Sequence, residues 1–168
     1  MLDIAEINRL DPAGFLSALG GVYEHSPWVA ERSLENRPFA DRDDLVRTMS
    51  RVVDEASDDE KTALILAHPD LAGKLARAGA LTAESTREQA GLGLDRLSDE
   101  EFEEFSRFNA DYREKFGFPF IICARLTTKT GVIEAFRQRL ENDVDSEKRE
   151  ALRQIHHIAR LRIEDKVG

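Results

Sequence analysis

The chain has 168 residues, a net charge of -9, and a composition that is 41% hydrophobic and 34% charged. That length fits one domain with its own core, and the mix of apolar and charged residues excludes a disordered chain. The negative charge works against nucleic acid and anionic membranes as partners, yet an anionic small molecule can still be held by a local arginine. The single cysteine, Cys123, excludes an internal disulfide and a cysteine-rich zinc site. No apolar run has the length of a membrane span. The acidic start, Met1-Leu2-Asp3-Ile4-Ala5-Glu6, is unlike a secretory signal, and Lys166-Val167-Gly168 is unlike a peroxisomal address. A cytoplasmic setting is the expectation.

In chain order the sequence reads almost entirely as helix. Asp11-Pro12 supplies an N-cap and a first-turn proline, Phe15, Leu16 and Leu19 share a face, and Gly20-Gly21 stops the helix. A short helix carries Trp28, Val29 and Leu34 and closes at Pro38. Asp41 opens a third, with Leu45, Met49, Val52 and Val53 at helical spacing. Ser57-x-x-Glu60 forms a capping box for a fourth helix, which must stop near His68 because Pro69 disfavours the α region before it. A short helix spans about Glu84 to Ala90. Ser98-x-x-Glu101 starts a long one carrying Phe102, Phe105, Phe108, Tyr112 and Phe116, with Gly117 as its C-cap. Two more helices run from about Gly131 to Leu140 and from Ser146 to about Lys166. The apolar run from Phe118 to Ala124 has no evident partner strand and reads as a buried extended segment or a helix start. The expected fold is all-α: one compact domain, residues 1–168, of about eight helices.

Three places invite chemistry, each with a plainer alternative. His68 follows a helix end, where the dipole favours a cation. Pro69 stiffens the backbone beside it, and an imidazole suits proton transfer. It also fits as a simple cap on helix carbonyls. Ser85, Glu88 and Gln89 share one helix face and together donate to and accept from an amide-rich ligand. They also fit a capping box, Ser85-x-x-Glu88, with Gln89 in solvent. Arg162 falls inside the apolar stripe Leu152, Ile155, Ile158, Ala159 and Ile163 of the last helix, while Arg160 projects to one side. A guanidinium there fits a substrate carboxylate held in a bidentate fork, an ion pair with an internal Asp or Glu, or a side chain that snorkels to the surface. The aromatic row reads as core, with Asn109 beside it satisfying backbone groups. Cys123 reads as a small buried hydrophobe, and His156-His157 point apart on a helix. There is no H-E-x-x-H motif, phosphate-binding glycine loop or nucleophile elbow. The residues by themselves lead to a helical domain with a metal-free acid–base pocket.

His68-Pro69-Asp70-Leu71-Ala72, Ser85-Thr86-Arg87-Glu88-Gln89 and Phe116-Gly117-Phe118-Pro119-Phe120-Ile121, in this order and spacing, resemble the 2-oxo-4-hydroxy-4-carboxy-5-ureidoimidazoline (OHCU) decarboxylases of urate breakdown. The resemblance runs from Leu19-Gly20-Gly21-Val22-Tyr23-Glu24-His25-Ser26-Pro27-Trp28 to Ile158-Ala159-Arg160-Leu161-Arg162-Ile163, with no departure at a motif position. It implies an all-helical enzyme, commonly homodimeric and without cofactor or metal, that converts OHCU to (S)-allantoin and carbon dioxide. By the same resemblance, His68 is the proton donor, Glu88 bonds substrate N–H groups beside it, and Arg162 positions an oxygen. Pro69, Ser85, Thr86, Arg87, Glu88 and Gln89, with Phe120, Ile121, Ile122, Cys123 and Ala124, are implied substrate contacts. Two other readings stand beside this one: a paralogue acting on another ureido-heterocycle, and a non-catalytic helical interaction module.

Overall fold

The computed structural model describes the backbone of residues 1–168 and every side chain except those of Leu75 and Arg77. Its helices are α1 (Ile4–Arg9), α2 (Pro12–Leu19), α3 (Trp28–Ser33), α4 (Arg42–Asp54), α5 (Asp58–Leu66), α6 (Lys74–Arg77), α7 (Ala83–Gly91), α8 (Asp99–Phe116), α9 (Lys129–Arg139) and α10 (Val144–Lys166). Three short 3-10 turns, Leu34–Asn36, Leu94–Arg96 and Ala124–Leu126, complete the set. Among the described residues the only β pairing is an isolated bridge between Leu2 and Val167. The all-α expectation holds. Two helices were not anticipated: α1, started by an Asp3–Glu6 capping box, and the four-residue α6.

The capping signals act as the sequence implies. The Ser57 and Ser98 side chains each accept from the backbone N–H three residues on, and Glu60 and Glu101 return the bond. Gly117 ends α8 with φ of 78°, a left-handed conformation that an L side chain resists. The cap of α7 lies one turn earlier than Ser85: Thr82 Oγ1 accepts from the Ser85 N–H at 3.2 Å. The Ser85-x-x-Glu88 pattern is therefore not the cap.

The fold divides into two compact units, Met1–Ala67 with His156–Gly168, and His68–Ile155. In the first, Ile7, Phe15, Leu19, Val29, Leu45, Met49, Val53, Leu64 and Ile65 form a fully buried apolar core. In the second, α8 turns Phe105, Tyr112 and Phe116 into the core as expected, while Phe102 and Phe108 of the same row are half-buried. The Phe120 ring stacks on Phe136 of α9 at 3.7 Å between centroids and meets Tyr112 edge-on at 5.2 Å. These contacts carry the Phe118–Cys123 segment through the core without a strand partner. Side chains satisfy its backbone instead. Arg139 Nη1 donates to the Ile121 carbonyl at 2.6 Å, and the Cys123 N–H donates to Gln154 Oε1 at 2.9 Å.

Candidate active site

His68 opens the second unit and is buried, with 7% of its surface exposed. Its loop is tied down over the next four residues. Arg113 Nε donates to Asp70 Oδ1 at 2.8 Å, Asn109 Nδ2 donates to the Leu71 carbonyl at 2.8 Å, and the Ala72 N–H donates to Gln89 Oε1 at 2.9 Å. Ala72 sits at φ of 52°, in the left-handed region. Gly73 follows because a Cβ there would lie 2.9 Å from that of Asp70.

Helix α7 meets both the histidine loop and the turn that ends the apolar segment. Ser85 and Gln89 are buried on one of its faces, and Glu88 is half-buried. Gln89 ties α7 to the histidine loop. Helix α7 also packs against the Ala124–Leu126 turn that ends the apolar segment. Burial pushes the Cys123 thiol of that segment up, and the negative charge of Glu88 pushes it further. Phe118, Pro119, Phe120, Ile121, Cys123 and Ala124 are buried and Ile122 half-buried. The second unit thus carries an imidazole, a hydroxyl and a carboxylate together with a buried apolar segment, a set suited to moving a proton on a ligand rich in N–H groups. Among the described residues no cluster of His, Cys, Asp or Glu is disposed to hold a metal ion.

The remaining expected residues are placed differently. Thr86 and Arg87 lie on the exposed side of α7. Thr86 Oγ1 donates to the Thr82 carbonyl at 2.9 Å, and Arg87 is 74% exposed beside Glu84. Gln89 was expected as a ligand contact, and its Oε1 is committed to Ala72. Arg162 belongs to the first unit. It is buried on the stripe formed by Ile155, Ile158, Ala159 and Ile163, as its spacing implied. Its anion is internal: Arg162 Nη1 donates to Glu24 Oε2 at 2.8 Å and to the Val22 carbonyl at 3.3 Å, and Glu24 is 2% exposed.

Sequence reasoning missed a second buried charge cluster. Arg139 Nε donates to Glu147 Oε1 at 2.5 Å, Tyr112 Oη donates to the same oxygen at 2.6 Å, and Asn142 Nδ2 donates to Glu147 Oε2 at 3.0 Å. The guanidinium also lies 4.3 Å from the Phe120 ring centre. Burial and the bond to Glu147 both push the Tyr112 phenol up, so it stays a donor. The signal was present. Arg139 continues the buried positions Val132 and Phe136 of α9, as Arg162 does on α10.

Comparison with known proteins agrees with the three motifs. The OHCU decarboxylase family model matches residues 8–164. The 2-oxo-4-hydroxy-4-carboxy-5-ureidoimidazoline decarboxylase of Haloferax volcanii is 40% identical over 165 residues, covering 98% of this chain and 96% of that protein. A crystal structure of (S)-allantoin synthase superposes with a TM-score of 0.79 at 32% identity, covering all of this chain, which spans 54% of the length of that one. A crystal structure of OHCU decarboxylase in the presence of (S)-allantoin shares the fold, with a TM-score of 0.67 at 23% identity over 86% of this chain and 93% of that one. With the histidine loop tied to α7 and the family match running nearly end to end, the chain belongs to the OHCU decarboxylase family.

Proposed function

We propose that the protein decarboxylates OHCU to (S)-allantoin and carbon dioxide, the closing step of urate-to-allantoin conversion, and that His68 delivers the proton. The observation that carries this reading is the convergence on α7. Gln89 holds the loop of His68, and α7 packs against the Ala124–Leu126 turn, so the imidazole loop and the end of the apolar segment share one helix. The names of the relatives support the substrate.

The chemistry asks little of a cofactor. When the carbon–carbon bond to the carboxylate breaks, its electron pair delocalises into the adjacent imine-like ring system, so the substrate is its own electron sink. Carbon dioxide leaves, and a proton from the His68 imidazolium completes the new C–H bond; solvent then reprotonates the imidazole. Three requirements remain for the protein. Glu88 and Ser85 hold the ring and ureido groups by accepting from N–H and donating to carbonyl oxygen. The apolar side chains from Phe118 to Ala124 leave the departing carboxylate poorly solvated. A fixed imidazole protonates one face, which sets the S configuration. Pro69 and the 120–124 segment are substrate contacts in this reading. Thr86, Arg87 and Gln89 contribute through the helix they belong to. Arg162 enters as a residue balanced by Glu24, and no step is routed through it. A homodimer and a cytoplasmic setting belong to the same reading and rest on the family resemblance.

The experiment is chiral. OHCU is made in situ from urate with urate oxidase and hydroxyisourate hydrolase, and the circular dichroism of allantoin is followed. Rapid growth of the S signal is the expected result; slow appearance of optically silent racemate alone rejects OHCU as substrate. His68→Asn is expected to lower turnover by about 100-fold or more while the far-ultraviolet spectrum stays unchanged.

A further inference from the structure

The loop that carries His68 is held from two helices, and one of its anchors bears an unexplained cost. Asn109 is 6% exposed and lies on α8 among Phe105, Tyr112 and Phe116. Its Nδ2 donates to the Leu71 carbonyl at 2.8 Å, while its Oδ1 is buried with no hydrogen-bond partner among the described residues. A buried amide with one end unsatisfied is unfavourable, and an apolar side chain would pack in this row without that penalty. What the position retains by keeping asparagine is the donor aimed at the loop. One helical turn further along α8, Arg113 holds Asp70, and from α7 Gln89 holds Ala72 in a left-handed conformation that alanine disfavours. Pro69 stiffens the backbone between His68 and these anchors. His68 is therefore followed directly by a proline and three anchored residues.

We propose that Asn109 is a positioning residue for the decarboxylation: through the Leu71 carbonyl it holds the 68–72 loop and so sets the direction from which His68 delivers its proton. The inference rests on the reading of His68 as proton donor. An imidazole on a slack loop would still hold a proton but would no longer present it to one face, and water would compete for the carbanion. The expected signature is a loss of turnover and of stereochemical purity, with substrate binding by Glu88 and the apolar segment largely kept.

The test uses the full chain, with OHCU generated in situ and both rate and enantiomeric excess of allantoin measured. Asn109→Leu is expected to lower kcat by roughly 10- to 100-fold and to reduce the S excess, with KM within about threefold of the original. Asn109→Asp has the same shape but turns an acceptor toward Leu71 when ionised and a donor when protonated. Burial favours the protonated form. Its kcat and S excess, each divided by the wild-type value at the same pH, are expected to recover as pH falls, while those ratios for Asn109→Leu stay flat. Wild-type kcat and S excess in both variants, with His68→Asn inactive, overturn the inference. Full activity in His68→Asn instead overturns the underlying reading of the histidine. Should Asn109→Leu fail to fold, Asn109→Asp decides alone, and a pH-independent ratio overturns the proposal.

Discussion

Arg162 and Glu24 illustrate what a single buried charge requires. Both are nearly fully buried, and their bond is 2.8 Å long. Removing one partner leaves the other buried without its counter-charge. Glu24→Gln is expected to lower unfolding free energy by about 3–5 kcal/mol in urea denaturation, and the double change Glu24→Leu with Arg162→Met by much less. The need for an anion was legible from the position of Arg162 on an apolar stripe. The identity of the anion was not, because Glu24 lies 138 residues away. Cys123 makes the opposite case, since its burial alone was legible. With its thiol pushed up by burial and by Glu88, it is expected to react with a disulfide reagent far more slowly in the native protein than in urea.

At the scale of elements, the caps decide where helices begin, and they are local enough to read. Ser98 with Glu101 starts α8, and Gly117 stops it. No atom lies within 4 Å of a Cβ built on Gly117, so the penalty for a side chain there comes from the backbone alone. Gly117→Ala is expected to cost about 1 kcal/mol by thermal or urea unfolding. Helix α7 shows how the same rule can be misapplied. Ser85-x-x-Glu88 has the residues of a capping box, but Thr82 has already opened the helix one turn upstream. That shift moves Ser85 from helix end to helix interior and makes its hydroxyl part of the buried face. The extended Phe118–Cys123 segment was legible as apolar and unpaired. Its actual partners, Arg139 and Gln154, are side chains from other helices and leave no mark in the local pattern.

For the whole molecule, the single-domain expectation translates into an unfolding experiment. Urea unfolding monitored by far-ultraviolet dichroism and by Trp28 fluorescence in the first unit is expected to give coincident transitions; separated midpoints would divide the two units. Acid stability has a defined contributor in the same unit. Arg32, followed by the Ser57 N–H, holds the Glu60 carboxyl down at about 2, against an ordinary value of 4.5. A depressed folded-state value means that this stabilisation is present above about 4.5 and is lost as pH falls toward 2. The stability difference between the protein and Glu60→Gln is expected to shrink over that interval in pH-dependent urea titrations.

From the sequence alone came eight of the helices, the caps of α2, α4, α5 and α8, the buried position of Arg162 and the three motifs that mark the family. These rest on interactions between residues three or four apart, or on the character of one face, and both are written locally. The tertiary structure decided which buried charges find which partners: Arg162 with Glu24, and Arg139 with Glu147 and Tyr112. It also decided that Gln89 and Asn109 hold the histidine loop, and that Thr86 and Arg87 face solvent. A buried polar group must be satisfied by whatever packing brings within about 3 Å, and that neighbour is set by the fold of distant segments, not by the residues beside it in the chain.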